Sequence, residues 1–175
     1  MTTALEPETR RIRTDAMAEG RCACGHLRYQ VRAKPMIVHG CHCRDCQRLS
    51  GGAFAINALF EADRVNLISG STEEVSVPTP SGKGQKIARC PECKTAVWSN
   101  YHMGGLKERI RFVRVGTFVD PDQFPPDVHI YTASRHPHVL LSHATPAFEG
   151  FYDLREVWSA DGLGRYTRLM PCKGV

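Results

Sequence analysis

The sequence predicts a mainly β domain that consists of short strands with few short helical turns. Apolar and polar residues alternate over 26–33 and again over 111–118, and a period of two is typical of half-buried strands. Almost no stretch repeats its apolar residues with the period of a helix. Many short strands without helical periodicity favour the all-β class.

Short apolar runs bounded by turn residues predict the remaining strands. The segment 41–52 is polar and ends in two glycines, which favours a loop or one helical turn. The segment 79–84 has the composition of a hairpin loop. Beyond residue 132 the pattern predicts no element. The strands predicted from short apolar runs are 53–60, 65–68, 74–77, 96–99 and 128–132.

A chain of 175 residues is one domain by default. We expect a flexible N-terminal tail over 1–19, a single folded domain over 20–170 and a C-terminal tail over 171–175. A short helix around Glu8–Ala18 is compatible with the tail. No stretch approaches 18 apolar residues, and the N-terminus lacks the apolar core of a signal peptide, so the expected location is the cytoplasm.

The charge pattern argues against a nucleic-acid partner. The formal net charge is +5, but Lys and Arg form no dense run apart from Arg10, Arg11 and Arg13. A nucleic-acid interface normally needs a concentrated basic stripe. Two zinc ions bound by seven thiolates would lower the net charge to about +2.

Eight cysteines occur in tight groups, and this spacing predicts metal binding. A reducing compartment argues against four disulfides. Zn–S bonds of about 2.3 Å place the ligand sulfurs of one ion roughly 3.8 Å apart, so cysteines one or two positions apart reach the same ion where the backbone turns. The groups are Cys22 with Cys24, then Cys41, Cys43 and Cys46, then Cys90 with Cys93, and finally Cys172 alone.

The first and third groups predict a closed zinc site. Cys90 and Cys93 flank Pro91, which stiffens the turn, and form a zinc knuckle that supplies two ligands. Cys22 and Cys24 are its natural partner pair. A site with four cysteine ligands leaves no position for water or substrate, so its role is structural. Free buried cysteines are the alternative.

The middle group supplies three ligands from one short loop, which favours a zinc site with a free fourth position. Such a position is where a catalytic zinc takes water or substrate. The alternative is a closed site with a fourth ligand from elsewhere in the chain, and an iron–sulfur cluster is a further alternative. The candidate fourth ligands are His39, His42, His102 and Cys172.

The cysteine motifs and their surroundings resemble the glutathione-dependent formaldehyde-activating enzyme family, which includes centromere protein V. The likeness runs in order from about Gly20 to Gly150 and includes seven cysteines. Lys94 stands where the family usually has glycine. The motifs that carry the resemblance are Gly20–Gly25 (GRCACG), Cys41–Gly51 (CHCRDCQRLSG), Arg89–Cys93 (RCPEC), and Val128–Tyr131 with Ser134 and Arg135.

The resemblance implies a zinc-bearing β-sheet "tent" with two zinc ions per chain. Cys22, Cys24, Cys90 and Cys93 would hold the structural ion, and the middle group would hold the catalytic one. The implied activity joins formaldehyde to the thiol of glutathione and is classed by its reverse as a carbon–sulfur lyase. The implied partners are therefore a small thiol and a small aldehyde. A homodimer is compatible with the sequence.

Three thiolates give a zinc ion a net charge of −1, which makes it a weak generator of hydroxide and suits it to binding a substrate thiol as thiolate. The bound thiolate can attack a carbonyl carbon, and a nearby donor would stabilise the oxyanion. The local candidates are Ser50, His42 and Arg44. A non-catalytic zinc-stabilised binding module for protein or nucleic acid is the alternative function, and a redox or metal-handling protein is a third.

Overall fold

The structure of the protein is a computed structural model that describes residues 17–102 and 106–170. The described residues form two β-sheets and few short helices, so the mainly β prediction is confirmed. The strands are β1 (Ala18–Arg21), β2 (Arg28–Val31), β3 (Ile37–Cys41), β4 (Ala55–Glu61), β5 (Val65–Ser69), β6 (Glu73–Val77), β7 (Gln85–Arg89), β8 (Ala96–Tyr101), β9 (Ile110–Arg114) and β10 (Val128–Ile130).

The larger sheet has seven strands in the order β10-β3-β4-β9-β8-β7-β6. Its neighbouring strands are antiparallel except for β10, which pairs parallel to β3 and sets Ile130 opposite Cys41. On the other side of β3, Cys41 lies opposite Ala55 of β4. The end of β3 therefore lies between β10 and β4, and the middle cysteine group begins there.

The smaller sheet, β1-β2-β5, packs on one face of the larger sheet. Tyr29 is fully buried there, with edge contacts to Trp98 at 5.7 Å and to Phe118 at 5.6 Å between ring centroids. Its hydroxyl bonds the hydroxyl of Thr117 at 2.6 Å. This first core thus joins the start of the chain to the middle strands.

A second core covers the opposite face of the larger sheet. It is closed by the C-terminal segment, which contains the helices α2 (Leu154–Val157) and α3 (Ala160–Leu169). Arg165 of α3 forms a two-fold ion pair with Glu61, with N–O distances of 2.7 Å and 2.5 Å. Because Cys41, Cys43 and Cys46 also belong to this face, the C-terminal segment packs beside the middle cysteine group.

The remaining helix, α1 (Arg44–Ser50), follows β3 directly, where a loop or one helical turn is predicted. The hydroxyl of Ser50 and the left-handed residue Gly51 end it. The longest helix of the described ranges has 10 residues, which is too short to cross a bilayer.

Several predicted strand ends are wrong, and each has a local cause. The strand predicted to reach residue 118 ends at Arg114, because 115–117 turn as a 3₁₀ helix. The strand predicted to reach 132 ends at Ile130, because Tyr131 has a left-handed backbone with φ of 56°. The strands β1, β3 and β7 and the helices α2 and α3 were not predicted. β1 begins at Ala18, two residues before Gly20, where the sequence predicts the start of the folded domain. The helix expected at 8–18 lies almost wholly outside the described residues.

Candidate metal centres

The first cysteine group consists of Cys22, Cys24, Cys90 and Cys93, whose sulfur atoms all lie within 4.8 Å of one another. We call it the quartet. The turn after β1 supplies the first two, and the turn between β7 and β8 supplies the other two. The sulfur of Cys24 lies 3.4 Å from that of Cys22 and 3.8 Å from that of Cys90. These distances are far too long for a disulfide and fit ligands of one tetrahedral zinc ion, for which roughly 3.8 Å is expected.

The backbone around the quartet is arranged to hold thiolates. The N–H of Leu27 donates to the sulfur of Cys22 at 3.3 Å. The hydroxyl and N–H of Thr95 stabilise the thiolate of Cys93 and lower the pKa of that thiol to about 5. Hydrogen bonds to sulfur favour the charged form, which is the form that binds a metal ion.

Lys94 closes the knuckle in a left-handed conformation with φ of 59°. Its N–H donates to the carbonyl of Cys90 at 3.0 Å, and its ammonium pairs with Glu73 at 2.6 Å. A left-handed backbone is costly for a residue with a side chain. Lys94 therefore carries local strain.

The second cysteine group consists of Cys41, Cys43 and Cys46, again within 4.8 Å of one another, and we call it the trio. Cys41 is the last residue of β3. Cys43 is the N-cap of α1, and its sulfur accepts the N–H of Cys46 at 3.3 Å. Cys41 and Cys46 are buried, whereas Cys43 is partly exposed. The start of one helix thus turns three thiols toward a single point.

The donor set of the trio fits a soft divalent cation. Contacts with Cys41 and Cys46 lower the pKa of Cys43 to about 2. The same contacts, with burial, raise the pKa of Cys41 well above its ordinary value. Without a cation the three thiols therefore oppose one another's ionisation. A divalent ion removes the conflict, because it stabilises all three thiolates together.

The trio has no fourth ligand among the described residues. The histidines suggested for that role have other contacts. His39 Nε2 bonds the hydroxyl of Tyr152 at 2.7 Å, and His42 Nε2 bonds His129 Nδ1 at 3.0 Å. His102 is not part of the group either. Cys172, the other suggested ligand, lies outside the described residues.

His42, one of the three suggested oxyanion donors, is fully buried, and its ring stacks on Phe54 with centroids 4.7 Å apart. Its partner His129 lies against Gly40, where any side chain would collide with the ring of His129. Burial, with the nearby His129 and Arg135, lowers the pKa of His42 to about 4, so the ring is neutral at physiological pH. The imidazole is therefore packed away from solvent.

The other two suggested donors support the loop. Arg44 donates to Gln47 at 2.8 Å, and the amide of Gln47 donates to the carbonyls of His42 and Ser134 at 2.8 Å and 2.9 Å. Ser50 donates its hydroxyl to the carbonyl of Cys46 at 2.7 Å. These contacts fix the backbone around the trio, and a catalytic role for the side chains stays a prediction.

Sequence reasoning missed three polar side chains near the trio. Arg114 of β9 bonds Asn57 of β4. The contact with Cys41 and the charge of Arg114 lower the pKa of the Cys46 thiol, but Cys43 and burial outweigh them and raise it to about 11. Burial and the trio thiols raise the pKa values of Tyr101 and Tyr131. Neither tyrosine hydroxyl has a hydrogen-bond partner among the described residues. Only strand register brings these distant positions together, and no local motif marks them.

The profile of the glutathione-dependent formaldehyde-activating enzyme family matches residues 17–134, which is more than half of the chain. The chain belongs to this family. Both the quartet and the trio lie within the matched residues, so the suspected resemblance is confirmed.

Among solved structures, the family member described here is similar to a crystal structure of a Rhodobacter sphaeroides protein. The two are 17% identical, and the match covers 60% of this chain and 93% of the other, with a TM-score of 0.43.

The family match ends at Ser134, whereas the described fold continues to Met170. The C-terminal segment that covers the second core therefore lies outside the matched residues. Its aromatic residues Phe148, Tyr152 and Trp158 pack in the same core as the trio.

Proposed function

We propose that this protein is a zinc-dependent enzyme of the carbon–sulfur lyase type, which adds a small thiol to a small aldehyde or catalyses the reverse. Glutathione is the thiol that the family name suggests. The observation that carries the proposal is the contrast between four converging thiols in the quartet and three in the trio. A site with three protein ligands leaves one position for a substrate.

Cys41, Cys43 and Cys46 would hold the ion at this site. When bound there, zinc supplies a coordination position that keeps a substrate thiol deprotonated at neutral pH, where a free thiol with a pKa of about 8.5 is mostly protonated. The addition forms one sulfur–carbon bond and moves the π electrons of the carbonyl onto its oxygen, which then takes a proton. The reverse reaction returns that proton and breaks the same bond.

The side chains around the trio offer a positive charge and hydrogen-bond donors to the substrates. The guanidinium of Arg114, held by Asn57, supplies a positive charge for an anionic group of the thiol substrate. The hydroxyls of Tyr101 and Tyr131 are protonated at neutral pH, as tyrosine ordinarily is, and burial and the thiols raise their pKa values further. Either hydroxyl can therefore donate a hydrogen bond to the developing oxyanion. His42, Arg44 and Ser50 would position the trio through the loop.

The decisive experiment compares free and blocked thiols. Elemental analysis of the purified protein should first find close to two zinc ions per chain. Glutathione at a hundredfold excess over its dissociation constant should then raise the free energy of unfolding by about 2.7 kcal/mol, which thermal melting measures. S-methylglutathione has nearly the same peptide groups but cannot coordinate as a thiolate, so it should bind much more weakly.

Two further measurements separate coordination from simple contact. Uptake of the thiol should release protons, which appear as buffer-dependent heat in calorimetry, because metal binding selects the thiolate. The stabilisation should be absent in Cys43→Ser. If the free thiol binds no better than its blocked analogue, the proposal fails, and a non-catalytic zinc-stabilised module becomes the better account.

A further inference from the structure

Two aromatic side chains next to the trio are exposed although large aromatic side chains are usually covered. Tyr131 is 38% exposed and Phe151 is 50% exposed. Their ring centroids lie 6.2 Å apart at an interplanar angle of 40°. We call this pair the aromatic platform. Exposed apolar surface beside a site commonly marks a binding surface.

The backbone places the platform at the end of β3, where the trio begins. Tyr131 directly follows Ile130, which lies opposite Cys41 in the parallel pair β10–β3. The N–H of His42 donates to the carbonyl of Ile130 at 2.9 Å and fixes this alignment. Phe151 makes an edge contact with His39, two residues before Cys41, at 6.0 Å between centroids. Both rings therefore flank the end of β3.

Contacts with neighbouring residues fix the position of the platform. Phe151 stacks on Tyr152 with centroids 4.9 Å apart and an interplanar angle of 12°. The hydroxyl of Tyr152 accepts the indole N–H of Trp158 at 2.7 Å and bonds His39 at 2.7 Å. Tyr131 has a strained left-handed backbone, whose N–H donates to the carbonyl of Gly150 at 2.9 Å. Strain of this kind in a bulky residue is typical of functional sites.

The two sides of the trio differ in chemistry. On the side of β4, β9 and β8 lie Asn57, Arg114 and Tyr101, which suit a polar or charged molecule. On the side of β10 and the C-terminal segment lies the platform, which offers ring faces and edges. A charged peptide thiol fits the polar side. Formaldehyde has no substituent that could contact the aromatic side.

From this arrangement we infer that the carbonyl substrate carries an aryl or similarly apolar substituent, which packs on Tyr131 and Phe151 while its carbonyl carbon faces the thiol. This inference rests on the proposed function and narrows its aldehyde from small aldehydes in general to apolar ones. In the reaction the thiol sulfur bonds to the carbonyl carbon, and the carbonyl oxygen takes the proton that the thiol has lost. The substituent keeps all its bonds, and no oxidant or reductant is needed.

The test compares phenylacetaldehyde with acetaldehyde as partners for glutathione, with the full-length zinc-loaded protein. Exchange between each free aldehyde and its thiol adduct is followed by NMR. We expect the protein to favour phenylacetaldehyde, and Phe151→Ala to reduce that preference by about tenfold, which corresponds to about 1.4 kcal/mol and lies within the range of aromatic contacts. Phe151→Leu should give an intermediate preference. Tyr131→Phe should retain the ratio between the two aldehydes, because the ring remains, and any loss of rate from the missing hydroxyl should affect both aldehydes equally.

Leu140→Ala is the matched control, since Leu140 is an apolar residue of the same C-terminal part and is 89% exposed. It should leave the preference unchanged. Each variant is used only after its zinc content and circular dichroism match the parent protein. A preference that is absent in the parent, or unchanged in both Phe151→Ala and Phe151→Leu, overturns the inference even if acetaldehyde reacts.

A binding measurement keeps the inference testable if no aldehyde reacts. 2-Phenylethanol has the same substituent but no carbonyl. It should shift the NMR signals of Tyr131 and Phe151 in the parent protein, and it should not shift those of Tyr131 in Phe151→Ala. Binding of 2-phenylethanol without any aldehyde turnover would contradict the proposed reaction and leave the apolar subsite standing. Failure of 2-phenylethanol to shift either ring would overturn the subsite itself.

Discussion

The quartet and the trio use the same side chain for different physical purposes. In the quartet, Cys24 and Cys90 are 66 residues apart, so the group joins the turn after β1 to the turn between β7 and β8. In the trio, all three thiols come from six consecutive residues at the end of β3 and the start of α1. A long-range link restrains a large part of the chain, whereas a local cluster restrains little of it, which agrees with the structural and catalytic roles proposed for the two groups.

The largest expected difference is between Cys93→Ser and Cys43→Ser. Cys93→Ser should destabilise the whole domain, because a structural zinc contributes folding free energy and here links distant segments. Cys43→Ser should lose one zinc ion and all thiol binding yet remain folded, since its ligands close only a small loop. Zinc analysis and thermal melting of the two variants measure both effects. Equal loss of structure in the two variants would contradict the assignment.

A smaller effect is expected from the C-terminal segment, which covers the face of the trio and not the quartet. Arg165 and Glu61 are 12% and 15% exposed, so Arg165→Met should reduce the free energy of unfolding by about 2 kcal/mol. The zinc content should stay at two. Amide hydrogen exchange should accelerate in 148–170 and stay unchanged around Cys22 and Cys90. Faster exchange at the quartet would show that the two regions are not independent.

The same ion pair predicts a pH dependence with a definite sign. Burial alone would raise the pKa of Glu61, but hydrogen bonds from Arg165 and its own backbone outweigh burial and hold the pKa below the ordinary value of 4.5. The stabilisation is therefore complete above about pH 5 and is lost as the pH falls through the lowered pKa. Between about pH 6 and pH 3, the free energy of unfolding should fall more steeply for the parent protein than for Arg165→Met.

Lys94→Gly tests the strain at the quartet. Glycine adopts a positive φ without the steric cost, so the variant should gain about 0.5–1 kcal/mol in the free energy of unfolding. The exposed pair with Glu73 contributes little and should offset only part of that gain. Lys94→Ala is the control, because it removes the ion pair and keeps the strain, and it should show no gain. Thiol binding at the trio should be identical in all three proteins.

The smallest expected effect is that of Cys172→Ser. Because the trio is proposed to have a free fourth position, removing this remaining cysteine should leave both zinc ions in place. Elemental analysis of the variant checks this directly. Loss of one ion would instead identify Cys172 as the fourth ligand and close the middle site.

The parts that could be predicted from sequence are those with local causes. The alternation over 26–33 and the runs at 53–60 and 65–68 predict β2, β4 and β5, because side chains alternate between faces along a strand. β3 was missed although it carries Cys41. All five of its residues are buried, so it has no polar alternation to reveal it. α3 was missed because two glycines interrupt its apolar pattern, and the helix is held by contacts such as the Arg165–Glu61 pair.

The sequence by itself determined the mainly β class, the two cysteine groups and the family, because each is encoded in the identity and spacing of nearby residues. Only the tertiary structure decided what surrounds the trio. Arg114 and Tyr131 reach it through strand pairing, and Phe151 reaches Tyr131 through the C-terminal segment. Such neighbours depend on strand register and on where the C-terminal segment packs. Both are set by many weak contacts between residues that are far apart in the sequence. No short stretch of sequence contains that information.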